Sequence, residues 1–392
     1  MARGQVEILR GKALGAATRA QWDQFLRDDA EAPWFHCDPL VLVHRIGESG
    51  RERELLVAIL REDGRIKGLA PLLVERSHLS LKLSVITLAR YPMRIARLVG
   101  PGFLYGRGVD RTDVARQLLE GLAREGLPLS LEELIVPGPE QSVLASEEGR
   151  TLGFRFVVTR NEKVRRLRLQ IDHERYLSDL GTKQRNNMKR MLRGLDEGKD
   201  ASGVPWAPQL ERIVAPSDVQ RFLDDLDAIF KNTWQAKTKG YVVRNGPKEV
   251  AFLTAIAERG WLRSYLLRVQ GKPVAFVLGY QYGGTFLHDE TGYALEHRDT
   301  RPGIYLNHML VADLFAEHKP AVLDFGFGEN EYKDAIGNEE SDVISAFAVT
   351  TPQHEYFLRS QQVLNRVYDY TRGELVRRGW DTRVRNLIKR RG

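Results

Sequence analysis

Between Trp261 and Lys333 the chain reads strand, strand, strand, basic turn, helix, strand, polar loop, an order that few folds accept. The runs Trp261–Val269, Val274–Tyr282 and Thr285–Thr291 predict three strands in a meander. Arg298-Asp-Thr-Arg-Pro-Gly303 then leads into a helix to about His318, with Leu306, Met309, Leu310 and Leu314 on one face. Pro302 suits a first helical turn. The first N–H groups of a helix are unpaired and the dipole is positive there, so an anion is favoured. Two arginines add charge and bidentate reach. This predicts a phosphate-bearing ligand at Arg298, Arg301, Gly303, Ile304 and Tyr305. The plainer alternative is a turn with exposed arginines.

A chain of 392 residues is too long for one ordinary core, so two domains are expected. The pattern divides them at 1–162 and 163–392, the second ending in a basic helical tail over about 352–392. In the first, Trp22–Arg27 reads as helix. Glu54–Arg61 and Ile66–Glu75 read as a hairpin closed by Glu62-Asp-Gly-Arg65. Leu81–Leu88, Glu133–Val136 and Phe154–Thr159 read as strands, and Arg111–Glu125 as an amphipathic helix. In the second, Val164–Ile171 is a strand, about Glu174–Leu195 a basic helix, and Glu197–Pro208 a Gly/Pro loop. Leu210–Val214 (strand), Pro216–Trp234 and Lys248–Arg259 (helices) precede the meander. Val343–Val349 is a last strand, and Pro352–Arg391 is mostly helical, broken near Gly373 and Gly379. The first half is a looser version of the second. The expected fold class is α/β (α+β): two related modules side by side, each a mixed, mostly antiparallel sheet flanked by helices.

No apolar run approaches the roughly 18 residues of a membrane helix, and the first residues have no apolar signal core. Cys37 is the only cysteine, which excludes an intramolecular disulfide and a multi-cysteine metal site. No metal is expected, and a cytoplasmic location fits. Formal charge is +7, with eight Lys/Arg against two acidic residues from Arg372 to Arg391, and seven Lys/Arg between Arg175 and Lys199. Such stretches suit nucleic acid, anionic lipid or a phosphorylated substrate, or simply a solvated helix face. His36-Cys37-Asp38 lacks a second ligand group at a useful spacing and reads as a buried thiol beside a turn. Gly326-Phe-Gly328 lacks the third glycine of a dinucleotide fingerprint, with Glu331 in its place.

Taken in order, these segments resemble the GNAT acyl-CoA N-acyltransferase superfamily, and within it the cellulose-biosynthesis-type acetyltransferases. The resemblance is carried by Arg185-Asn-Asn-Met-Lys-Arg-Met-Leu-Arg193, Trp234-Gln-Ala-Lys237 with Lys239-Gly-Tyr241, and Gly271-Lys-Pro-Val-Ala-Phe276. To these add Pro302-Gly303, Leu323-Asp-Phe-Gly-Phe-Gly-Glu329 with Tyr332-Lys333, and, in the first half, Gly68-Leu-Ala-Pro-Leu-Leu-Val74. It covers most of the chain and is strongest over about 174–340. Fem-type peptidyltransferases, which take an aminoacyl group from tRNA, share the tandem arrangement. The chain departs from the general turn (Arg or Gln, two residues, Gly, one residue, Gly or Ala) at one position: Arg301 stands where the first glycine would be.

What the resemblance implies is an acyltransferase using acetyl-CoA or another acyl-CoA as donor. The acceptor would be a small molecule, an amine or hydroxyl of a sugar or cell-envelope precursor in polysaccharide assembly. Nucleic acid enters only if the donor is aminoacyl-tRNA; a non-catalytic module in polysaccharide assembly is a third possibility. His288 and Glu290 share a face of a strand and stand where such enzymes place a general base. Asp324 would orient substrate or accept a proton, Tyr332 would return one to the leaving thiolate, and Lys333 would hold the acceptor or polarise the carbonyl. Trp234 and Lys239 would line the acceptor pocket. Each has a plain reading too: a solvent-facing stripe, an N-cap, a core tyrosine, a surface lysine, a helix-end tryptophan. Backbone N–H groups near Thr291–Tyr293 would serve the oxyanion.

Overall fold

The apolar run Leu55–Leu60 is buried on both faces, as a strand covered from two sides must be. It is the centre of β2 (Arg53–Glu62). The computed structural model describes residues 4–11, 14–48, 53–84, 86–182, 184–186, 189, 206–231, 233, 245–328 and 331–377. It divides into two units, Met1–Glu162 with Asp342–Gly392, and Lys163–Ser341.

In unit 1, β1 (Gln5–Arg10), β2, β3 (Arg65–Leu83) and β4 (Ile86–Leu98) run antiparallel in that order. β5 (Leu104–Tyr105) pairs with β3, and β6 (Leu129–Val136) lies parallel to β4 for two residue pairs. Asp63 and Gly64 take positive φ, as the Asp-Gly hairpin signal predicts. The expected strand Leu81–Leu88 is instead the tip of the β3–β4 hairpin, turning at Ser84 (φ +56°). Alternation along β2 sends Leu56, Ala58 and Leu60 to α3 (Arg111–Ala123). It sends Leu55, Val57 and Ile59 to Trp22 of α1 (Ala16–Gln24) and Leu42 of α2 (Pro39–Glu48). α4 (Pro139–Ala145) and α5 (Glu147–Thr151) follow β6. Cys37 is fully buried, its thiol against the Val99 carbonyl.

β7 (Arg155–Arg168) is one strand where the sequence pattern suggests two. Unit 2 holds its second part with α6 (His173–Asp179), β8 (Pro208–Ile213), α7 (Val219–Lys231), α8 (Pro247–Glu258), β9 (Ser264–Val269) and β10 (Lys272–Tyr282). It continues with β11 (Thr285–Tyr293), α9 (Pro302–Ala316), β12 (Val322–Asp324) and α10 (Glu331–Ile336). The sheet order is β7-β12-β11-β10-β9-β8, antiparallel except for β11 and β12. α6 ends at Asp179 and the chain is helical again at Thr182, 184–186 and Lys189, so the expected helix is interrupted at Leu180-Gly181; the rest of its basic stretch lies outside the described residues.

β13 (Glu339–Val349) and α11 (Pro352–Arg377) are the last elements among the described residues. Asp342–Ala348 pairs antiparallel with β6, so Asp342–Gly392 belongs to unit 1, not with 163–341 as the sequence division has it. The pairing partner lies some two hundred residues earlier, where no local pattern can point. α11 runs through Gly373 to Arg377 without the break expected there, while the one expected near Gly379 lies outside the described residues. Each unit is therefore a mixed, mostly antiparallel sheet flanked by helices, in which one parallel pair is joined through a helix: β4–α3–β6 and β11–α9–β12.

Candidate active site

β11 and β12 stay together for three pairs only, Thr285–Val322, Phe286–Leu323 and Leu287–Asp324. β12 then ends, and Gly326 and Gly328, both at positive φ, turn the chain away. β11 continues to Tyr293, so beyond Leu287 the edge of β11 turned away from β10 has lost β12 as its neighbour. Asp289 is a bulge residue there, since Leu278 pairs with Glu290 but Gly279 with His288. The bulge breaks the alternation. His288 is buried and Glu290 exposed, so the two do not share a face as strict period-2 spacing predicts.

His288 is held from α9. Asn307 Nδ2 donates to the Gly303 carbonyl at 2.9 Å, which makes Asn307 Oδ1 the acceptor facing His288 Nε2 at 3.0 Å. The proton is thus assigned to Nε2, leaving Nδ1 as the basic nitrogen. Burial pulls the imidazole down to about 4, against the raising effects of the Asn307 hydrogen bond and of a hydrogen bond to the His288 backbone, so the ring is neutral at physiological pH. Its neighbours are Phe325 and Tyr332, with ring centroids 5.7 and 5.9 Å away. Burial raises the Tyr332 hydroxyl to about 12, so it keeps its proton and can act as an acid.

Asp324 is buried, and both its oxygens are engaged. Arg166 Nε donates to Oδ2 at 2.8 Å and the Gly326 N–H to Oδ1 at 2.8 Å. This carboxylate fixes the exit of β12. Lys333 is buried rather than at the surface, its ammonium donating to the Phe327 carbonyl at 2.7 Å and the Gly326 carbonyl at 3.2 Å. Asp324 and Lys333 together shape the loop that carries Phe325 beside His288.

The basic turn follows β11 as a short 3-10 stretch, Leu295–Thr300, then Arg301. Arg301 is left-handed (φ +54°, ψ +49°), a conformation that costs a non-glycine residue about 1–2 kcal/mol. This is the position where the general turn has glycine. Arg298 and Arg301 are exposed. α9 begins at Pro302 with no side-chain cap. The Ile304 and Tyr305 N–H groups bond back to the Arg301 carbonyl (3.0 and 3.4 Å); the Gly303 N–H has no partner among the described residues. Trp206, 2% exposed, packs on Tyr305 (5.7 Å) and His297 (6.4 Å), and its buried indole N–H is unpaired among the described residues. Such a donor is costly to bury unless something accepts from it.

The other end of α9 is tied down by Arg263, which is 4% exposed. Its guanidinium donates to Tyr265 Oη (2.7 Å), Gln281 Oε1 (2.6 Å), Asp313 Oδ2 (2.8 Å) and the carbonyls of Asp313, Glu317 and His318 (3.2, 2.9 and 3.0 Å). A cation at the C-terminal carbonyls satisfies both their hydrogen bonding and the dipole. The corresponding helix of unit 1 is built differently. The Asp110 carboxylate caps α3, accepting from the Thr112 and Asp113 N–H groups, so that N-terminus already holds an anion of its own.

Trp234 and Lys239 lie outside the described residues. Asn307, Arg166 and Trp206 were not singled out by sequence reasoning. Asn307 could have been suspected as a lone amide one turn after Gly303 in an apolar helix; Arg166 reads simply as the polar face of its strand. Among the described residues no group of His, Cys, Asp and Glu could hold a metal ion, and no helix is long and apolar enough to cross a membrane.

Residues 182–334 match the family model of the acetyltransferase (GNAT) domain. No curated protein matches the chain. Among solved structures, FemX aligns at 13% identity over 90% of this chain and 100% of its own, with a TM-score of 0.59. The C-terminal domain of an Agrobacterium fabrum protein assigned as a lysylphosphatidylglycerol synthetase aligns at 14% identity over 86% of this chain and 93% of its own, TM-score 0.51. A Bacteroides thetaiotaomicron protein of unknown function aligns at 16% identity over 85% and 97%, TM-score 0.50. At these identities the likeness concerns the fold. Unit 2 thus carries a GNAT-type acyltransferase fold.

Proposed function

We propose that unit 2 moves an acyl group, most simply acetyl, from acyl-CoA to an amine or hydroxyl of a sugar or cell-envelope precursor by direct attack. One observation carries the reading: β11 parts from β12 beyond Leu287, with His288 and Tyr332 beside the parting and an uncapped, doubly basic helix start following β11. Arg298, Arg301 and the Gly303 N–H would hold the donor's diphosphate, and the unpaired Trp206 N–H beside Tyr305 suits a ligand oxygen. Ile304 and Tyr305 would contribute packing, since their amides are already engaged. Backbone N–H groups of β11 near Thr291–Tyr293 would donate to the oxyanion.

His288 Nδ1 would take the proton of the attacking group, and Tyr332 would protonate the leaving thiolate. A base titrating near 4 is weak, so its use depends on proximity and on exclusion of water. Asp324 and Lys333 position the loop. Glu290, exposed past the bulge, would face the acceptor side, and Trp234 and Lys239 would belong to acceptor binding.

A second reading, an aminoacyl-tRNA donor, is favoured by the likeness to FemX over 90% of the chain. Melting the protein with acetyl-CoA, longer acyl-CoAs and charged tRNA separates the two, because only a ligand of the folded state raises Tm. A rise with acyl-CoA, weakened about tenfold or more in affinity by Arg298→Ala with Arg301→Ala, is the expected result. A shift with tRNA alone overturns the first reading.

A further inference from the structure

The β3–β4 pair outruns the rest of its sheet. β2 begins at Arg53, opposite Glu75, so Arg76–Leu83 and their partners on β4 form a two-stranded ribbon. Such a ribbon is marginal in water unless its apolar side chains find cover. α11 covers Leu79 and Met93 with Leu358 and Phe357, but the tip displays its own: Ile86 is 61% exposed, Leu88 53% and Leu83 38%. Leu83 and Ile86 face each other across the tip, and Leu88 is the extra residue of a bulge. Lys82 and Arg90, both exposed, flank them.

α11 lies along the ribbon toward this tip. The His354 ring stands 5.0 Å from that of Tyr91, and two turns later Gln361 clasps Lys82, accepting from its N–H (2.5 Å) and donating to its carbonyl (3.0 Å). The opposite face of α11 carries Tyr356, Val363, Val367 and Tyr370, spaced by seven, four and three residues and all exposed. Arg359 and Arg366 border that stripe and are exposed as well. Beyond Arg377 the sequence of 378–392 has six Lys/Arg against one Asp.

We propose that the ribbon tip and the outer face of α11 dock on the surface of an anionic lipid bilayer. The two kinds of exposed side chain select the partner. A nucleic acid would use the cations, but aliphatic Leu83, Ile86 and Leu88 neither stack on bases nor pair with phosphates. A second copy of the chain would cover the aliphatic residues, but would bring Lys82, Arg90 and Arg366 against themselves. A bilayer takes both: aliphatic side chains reach about 5–10 Å into the headgroup–acyl boundary while Lys and Arg stay among anionic headgroups. The long stem of Lys82, next to Leu83, lets its ammonium reach back to that level. The contact is peripheral, and it would hold the protein near acceptors carried on lipid.

The test uses the full chain in co-sedimentation with vesicles of phosphatidylcholine alone and of phosphatidylcholine mixed with phosphatidylglycerol. Binding to the mixed vesicles that falls with added salt, and that drops about tenfold or more in Ile86→Asp with Leu88→Asp, is expected. These positions are exposed, so circular dichroism melting of the variant should match the parent. Absence of binding to the mixed vesicles at low salt overturns the proposal. So does equal binding by the variant, or a dimer in light scattering that the variant abolishes. Acyl-CoA affinity is measured on the same variant; its loss or retention leaves the membrane readout intact, so the two proposals fail separately.

Discussion

Replacing His288 with glutamine should change how the protein responds to acid. The folded imidazole titrates near 4 because it is buried, whereas an unfolded one titrates near 6.5. A folded pKa below the unfolded value means that stability is fully present above about pH 6.5 and is lost as the pH falls toward 4. At about pH 5 the unfolded chain is almost fully protonated at this site and the folded chain only about a tenth so, a loss of about 2 kcal/mol, rising to about 3 near pH 4. For a unit of this size each kcal/mol moves Tm by about 2–4 °C. The parent should therefore lose about 4–8 °C more than His288→Gln between about pH 7.5 and about pH 5. Glutamine does not titrate and can still donate to Asn307 Oδ1. Burial also depresses His308, to about 4, and His36, to about 3, but both act equally in parent and variant and cancel in the difference. Circular dichroism melts across the pH series are the assay. Parallel curves would show that His288 is not a buried neutral imidazole, and the tautomer and base role assigned to it would go with that.

Arg263→Met should cost about 3 kcal/mol in urea denaturation, because it leaves the last carbonyls of α9 unpaired, although Asp313 keeps Arg212 and the Tyr265 hydroxyl; Arg263→Lys should recover only part, lacking the planar fork. Asp110→Ala removes the cap of α3 and should lower stability by about 1 kcal/mol, while calorimetry still finds a single acyl-CoA site, since Arg111 at that helix start is held by Glu31.

Much of the frame was legible from local signals. The Asp-Gly hairpin at 63–64, the apolar stripe of α3 and the start of α9 at Pro302 depend on residues a few positions apart, and the structure has them where the pattern implies. The site was legible only in outline. Its basic turn and its strand–helix–strand order could be read, but Asn307 could not be matched to His288, nor Arg166 to Asp324 across 158 positions of sequence.

The amino-acid order alone determined the periods: which runs become strands, which face of each helix is apolar, and where a positive helix end meets two arginines. Tertiary structure decided the rest. The Asp289 bulge turned Glu290 outward while His288 went in, Lys333 went to buried carbonyls instead of water, and Asp342–Ala348 went to β6. The physical reason is range. Turn and helix preferences act between neighbours along the chain, but the cost of burying a charge or an imidazole, and the partner that offsets it, exist only once distant strands have packed.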